Sequence, residues 1–287
     1  MQLRKIIGLA AILILGWAGA KAAAEPRIVS ADGAITETIV ALHATDLLVG
    51  VDTTSQYPPQ VIAGLPKIGY LRALPLEGVL SLKPTRLITT EEAGPDVTLD
   101  GLGEAGVDVV ELPVAWDVDA ALERIRRVGD LVDQQDQANE LANRMAAAID
   151  KVQTSMANKT DARVLVLLAA GDHGVMLAGK ETAADALLET LGLRNALDDV
   201  SGYKPASREA LLVADPDAIV IAEARPGQFQ PADWPALIHL KAWEDGHRVT
   251  ANAMLLLGFG PRLPEAMQTI AAIVPESTAA NDTAHAH

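Results

Sequence analysis

Short apolar runs alternate with amphipathic stretches along most of this chain, and the alternation predicts its elements in order. Arg27 to Ser30 reads as a strand, Ala34 to Leu42 as a helix, and Leu47 to Val51 as a second strand ending in Asp52-Thr53-Thr54. A helix over Leu76 to Leu82 is entered through Pro75. A strand over Arg86 to Thr89, a helix over Thr98 to Ala105 and a strand over Val107 to Leu112 follow, and a first lobe (residues 25–117) closes near Trp116. Val118 to Val132 then sets Leu122, Ile125 and Val128 on one helical face, and Gln137 to Ala157 does the same with Ala138, Leu141, Met145, Ile149, Val152 and Met156. These are linking helices (residues 118–158), too short in heptads for a coiled coil. The alternation restarts at Arg163 to Leu168 and runs through Ala183 to Leu191, Leu211 to Val213, Ala218 to Ala222 and a last helix from Leu263 to Val274, giving a second lobe (residues 159–275). Alternating strands and helices imply parallel pairing. The expected architecture is α/β, with two Rossmann-like lobes built on parallel central sheets and joined by a long α-helix.

The two halves also repeat each other. Leu76-Glu77-Gly78-Val79-Leu80-Ser81-Leu82-Lys83-Pro84 aligns with Arg208-Glu209-Ala210-Leu211-Leu212-Val213-Ala214-Asp215-Pro216, and a buried strand follows each segment. A repeat of this kind argues for two similar lobes with a cleft between them. Gly101-Leu102-Gly103-Glu104-Ala105-Gly106 matches a dinucleotide fingerprint, but its glycines close a helix and lead into a strand. The phosphate-binding order is the reverse, so the match is read as a helix C-terminus.

Composition narrows the setting. Of 287 residues, 49% are apolar, enough for a sizeable core. Met1 to Ala24 carries Arg4 and Lys5, an apolar run from Ile6 to Trp17 and a small-residue end, the layout of a cleavable export signal. Its loss removes Arg4, Lys5 and Lys21 and no acid, taking the formal net charge from −15 to −18, which disfavours nucleic acid as a partner. With no cysteine there is neither a disulfide nor a lipid-bearing thiol. The expectation is a soluble, free periplasmic protein with a disordered tail over residues 276–287.

In so acidic a chain an anionic ligand needs a locally basic pocket, and Lys67 with Arg72 is the first such cluster. If Gly69 to Arg72 is extended, Tyr70 and Arg72 share a face. A neighbouring cation or a ferric ion favours the phenolate of a tyrosine, and tyrosinate is a known axial ligand of haem iron. The ordinary alternative is a loop tyrosine capping the core beside a solvated arginine.

The motif Gly69-Tyr70-x-Arg72-x-Leu74-x-x-Glu77-Gly78-Val79-Leu80-Ser81-Leu82-x-Pro84 resembles the periplasmic haem-binding proteins of bacterial haem-uptake ABC transporters, and the resemblance runs from about Arg27 to Pro275. It implies that the transported ligand is ferric haem (protoporphyrin IX), that Tyr70 is its iron ligand, and that there is no enzymatic activity. Three loops are expected to face Tyr70 from the second lobe: Gly171-Asp172-His173-Gly174, Gly202-Tyr203-Lys204-Pro205 and Ala224-Arg225-Pro226-Gly227. Some family members carry a histidine before a segment like Ala178 to Leu187, which makes His173 a candidate second metal ligand, against the ordinary reading of a solvated loop histidine. Arg225 and Lys204 can pair with haem propionates, or Arg225 can reach the Tyr70 phenolate; surface charge is the plainer account of Lys204. His43, His239 and His247 lack partners at ligand spacing, and Trp116, Trp234 and Trp243 could line an apolar cleft, packing being the more ordinary role of tryptophans near lobe edges.

The family also implies delivery. Glu77 and Glu209, at equivalent repeat positions, would dock on the two subunits of an inner-membrane permease dimer, with haem arriving from an outer-membrane receptor and the carrier acting as a monomer. A cobalamin or ferric-siderophore carrier of the same class is the alternative. From another class, an exported α/β hydrolase would need a G-x-S-x-G elbow, and the chain has none.

Overall fold

The computed structural model describes residues 25–159, 161–170 and 174–276. The expected export signal and all of the expected tail after Glu276 therefore lie outside the described residues, as does His173. The first sheet holds β1 (Ile28–Ala31), β2 (Leu48–Val51), β3 (Arg86–Thr90) and β4 (Asp108–Leu112), all parallel, in the order β2-β1-β3-β4. Helices α1 (Gly33–Ala41), α2 (Pro59–Ile62), α3 (Leu76–Ser81) and α4 (Asp96–Glu104) connect them. Next come α5 (Val118–Leu131) and the 21-residue α6 (Gln135–Ser155), the long helix that links the lobes.

The second sheet comprises β5 (Arg163–Ala169), β6 (Val175–Ala178), β7 (Arg194–Asn195), β8 (Tyr203–Pro205), β9 (Ala218–Glu223) and β10 (Arg248–Asn252). With it go helices α7 (Ala183–Thr190), α8 (Arg208–Ala214), α9 (Pro235–Ile238), α10 (Lys241–Glu244), α11 (Ala253–Leu257) and α12 (Leu263–Ala271). Its centre, β10-β9-β5, is parallel as the alternation implies, while β6 and β8 extend it antiparallel, so this sheet is mixed. Gly174, at φ +69°, and the Ala170 N–H to Gly174 carbonyl bond of 3.1 Å turn the chain directly back after β5, a hairpin that alternation alone does not signal.

Three apolar layers account for the packing. One lies on each outer sheet face: Val29, Leu74 and Leu87 in the first lobe, Leu165, Leu211 and Ile219 in the second. The third is continuous from Ile28 and Ile39 through Ile125 and Ile149 of the linking helices to Val220 and Met267. Strands buried on both faces read as unbroken apolar runs, as β9 does from Ala218 to Ala222. Each buried Ile or Leu contributes roughly 1.5–3 kcal/mol, and their continuity across the linker holds the lobes in a fixed relation.

The internal repeat is borne out by α3 and α8. Each ends in a left-handed residue, Lys83 (φ +50°) and Asp215 (φ +36°), before Pro84 and Pro216 and the next strand. The fingerprint-like glycines lie within and just after α4, as a helix C-terminus requires.

Polar groups fix the start of α1. Asp32 accepts from the amides of Ala34 (2.8 Å) and Ile35 (2.9 Å). Burial drives its pKa up, with the nearby Arg124 charge and those two amides opposing the shift. A folded-state pKa above the unfolded one means that the native state holds the proton longer. Asp32 therefore favours folding below the usual carboxylate range, and this contribution is lost as pH rises through the raised value. Asp32→Asn keeps the cap and removes the titration. It is expected to flatten that part of the stability-versus-pH curve by urea denaturation, and an unchanged slope would show that Asp32 does not titrate differently on folding.

Candidate functional site

The loops at the C-terminal ends of the first-lobe strands meet those of the second sheet. After β2, the Asp52 carboxylate accepts from the hydroxyls of Thr54 (2.7 Å) and Ser55 (2.8 Å), which fixes the start of the loop. From that loop Gln56 crosses to the second lobe. Its Nε2 donates to the Ala224 carbonyl at 3.0 Å, and its Oε1 accepts from Asn252 Nδ2 at 3.1 Å. The Thr53 amide donates to the Gly69 carbonyl at 2.8 Å, so the loops of Tyr70 and Arg225 are tied to the same short segment.

The Tyr70 loop turns on Gly69, whose φ of +99° lies in the region glycine supplies. Tyr70 is extended at φ −88° and ψ 138°, but Leu71–Ala73 is a 3-10 turn, closed by the Ala73 amide on the Tyr70 carbonyl at 2.8 Å. The expected extended stretch therefore stops at Tyr70. The physical reason is anchoring: Leu71 and Leu74 both reach the core, and a tight turn lets residues three apart do so. Tyr70 is left 45% exposed.

Arg72 is not directed at Tyr70 alone. Its Nη2 pairs with Glu92 Oε2 at 2.6 Å. The bond to Glu92 holds the Arg72 pKa above its ordinary value, against the opposing effect of partial burial. Tyr203, on β8, is partly buried, which raises its pKa, while its contact with the Thr182 side chain and the charge of Arg72 work the other way. Lys67 is separately engaged, its Nζ donating to the Ser55 carbonyl at 2.6 Å, with its pKa lowered by burial.

Arg225 is exposed in the loop after β9. The Glu223 carboxylate braces this loop, accepting from the amides of Gly227 (3.0 Å) and Phe229 (2.7 Å). Lys204 is exposed on the edge strand β8. Glu77 and Glu209 are exposed in the first turns of α3 and α8. Trp234 and Trp243 pack against the second-lobe core, and Trp116 is 40% exposed. A depression of about 490 Å³ at the opposite end of the second lobe is lined by Asp161, Asp215, Asp217, Asp245 and Glu276, which outnumber Lys159 and Lys241, an unfavourable setting for an anion. Sequence reasoning missed Gln56, Glu92 and Thr182. Glu92 had a signal, a doubled glutamate directly after a strand, and Thr182 had one as the cap of α7, accepting from the Asp185 amide at 3.2 Å; Gln56 is placed by partners distant in the chain.

The family pattern described as periplasmic binding protein matches residues 28–254. The chain belongs to that family. The match of this periplasmic binding protein to the crystal structure of a periplasmic haem-binding protein from Pseudomonas aeruginosa has a TM-score of 0.74 at 37% identity, covering 87% of this chain and 92% of that one. An uncharacterised ABC transporter substrate-binding lipoprotein, YvrC of Bacillus subtilis strain 168, is 27% identical over 88% of this chain and 82% of its own length. A vitamin B12-binding protein of Pectobacterium carotovorum is 24% identical over 68% of this chain and 70% of its own. Among the described residues no helix is long and apolar enough to cross a membrane.

Proposed function

We propose that this periplasmic binding protein carries ferric haem for an ABC transporter, with Tyr70 as the iron ligand. The observation that carries the reading is the placement of Tyr70: an exposed phenol two residues from Arg72, on a loop locked by Gly69 and the buried Leu71 at the end of the first lobe that Gln56 ties to the second. The donor chemistry fits the cargo, because a phenolate is a hard anionic ligand suited to ferric rather than ferrous iron, and Arg72 favours the charged form. The haem-binding relative of known structure supports the choice of ligand. Tyr203 would line the cleft from the second lobe and Arg225 would meet a haem propionate or the phenolate. His173, between the paired residues Ala170 and Gly174, would ligate the same iron or a second, stacked haem.

Delivery follows from the repeat. Glu77 and Glu209 would each meet a cation on one subunit of the permease dimer, the carrier acting as a monomer in the periplasm and receiving haem passed on from an outer-membrane receptor. Reversing both to Lys is expected to abolish haem uptake in cells carrying the matching permease while the purified variant binds haem as before. Undiminished uptake would reduce both residues to helix-end carboxylates, whose favourable interaction with the helix dipole needs no partner.

The vitamin B12-binding relative supports a second reading, a cobalamin carrier. Parallel titration of the purified protein with ferric haem and with aquocobalamin separates the two. Saturable binding of haem alone supports the first reading, and of cobalamin alone the second.

A further inference from the structure

We propose that Glu92 is a specificity-determining residue of the cleft: its carboxylate stands at Arg72 as an internal surrogate for a carboxylate of the ligand, which displaces it on binding. The identity of that ligand rests on the haem reading above; the displacement rests on geometry.

The loops bearing the two residues are stitched together. The Leu74 amide donates to the Gly94 carbonyl at 2.8 Å and the Gly94 amide to the Leu71 carbonyl at 3.0 Å, bracketing Arg72 and anchoring the other loop two residues after Glu92. The ion pair is thereby set by the backbone. Its side chains nevertheless remain open, 54% and 40% exposed, so an incoming anion can reach the guanidinium. The adjacent glutamate behaves differently: Glu91 Oε1 accepts from the Val114 amide at 3.2 Å and belongs to the loop framework. Glu92, by contrast, is bonded only to Arg72 among the described residues.

Both loops leave the C-terminal ends of first-lobe strands, the edge at which Gln56 reaches Ala224 and Asn252 of the second lobe. A guanidinium fork matches a carboxylate in plane and spacing, so a ligand carboxylate and Glu92 compete for one geometry. Exchange of one carboxylate for another is close to balanced, and its cost falls only on ligands that carry a carboxylate to this point. Glu92 thus selects against stray anions, which reach Arg72 without the further cleft contacts that complete the exchange.

The test compares ferric haem with its dimethyl ester, in which both propionates are capped, each titrated from the same cosolvent into wild type and Glu92→Gln. The variant is expected to bind ferric haem about two- to fivefold more tightly, the effect of removing a half-exposed ion pair, and to bind the ester as wild type does. In an Arg72→Ala background Glu92→Gln should have no effect on haem affinity. An equal shift for both ligands, weaker haem binding, or an undiminished effect without Arg72 would each overturn the proposal. Wild type that fails to saturate with haem would instead overturn the haem reading, and the surrogate with it.

Discussion

Tyr70→Ala is expected to bind ferric haem at least about a hundredfold more weakly than wild type. Even a group that only hydrogen-bonds to a metal's ligand is worth about 10- to 100-fold in affinity, and here the ligand itself is lost. The loop should survive the change, since its fixed points are Gly69, the buried Leu71 and Leu74 and the bonds to Gly94, none of which uses the phenol. Matching urea transitions with a lost haem affinity would therefore assign the defect to coordination. Wild-type affinity in the alanine variant would remove Tyr70 from the site.

The largest effect on stability is expected at Arg262, at the start of α12. Its Nε donates to Glu37 Oε2 at 2.9 Å and its Nη2 to Oε1 at 2.5 Å, while its guanidinium lies 3.9 Å from the centre of the Tyr57 ring. The side chains are only 16% and 5% exposed. Breaking such a pair from one side leaves a buried charge uncompensated, so Arg262→Ala should cost about 3–5 kcal/mol by urea denaturation. Replacing both partners by apolar residues of similar size, Arg262→Met with Glu37→Leu, should recover most of that loss, because the desolvation penalty disappears with the charges. A loss below about 1 kcal/mol for the single variant would mean that Glu37 is hydrated when Arg262 is removed. The pair joins α1 of the first lobe to the second-lobe end of the chain, which adds to the rigidity given by the shared core.

Local signals carried far in this chain. Apolar runs such as Ile28-Val29 and Ala218 to Ala222, and helical stripes such as Leu122, Ile125 and Val128, are sufficient to place strands and linking helices. The nine-residue repeat predicted paired lobes, and Lys83 and Asp215 show the same left-handed helix end in both. Legibility fails where partners are distant in sequence. Arg262 and Glu37 are 225 residues apart and Asn252 and Gln56 are 196 apart, so no local pattern announces either contact. The Tyr70 loop shows a subtler limit. Its motif marks a candidate site, but spacing alone cannot reveal that Leu71 and Leu74 draw the chain into a tight turn, or that Glu92 takes the guanidinium.

The central claim is ferric haem held by a tyrosinate, and the most direct measurement is the absorption and resonance Raman spectrum of the purified protein titrated with ferric haem. A saturable Soret change accompanied by charge-transfer and phenolate vibrational bands, all absent in Tyr70→Phe, is the result predicted. A spectrum indistinguishable from free haem, or tyrosinate bands that persist in Tyr70→Phe, would contradict it.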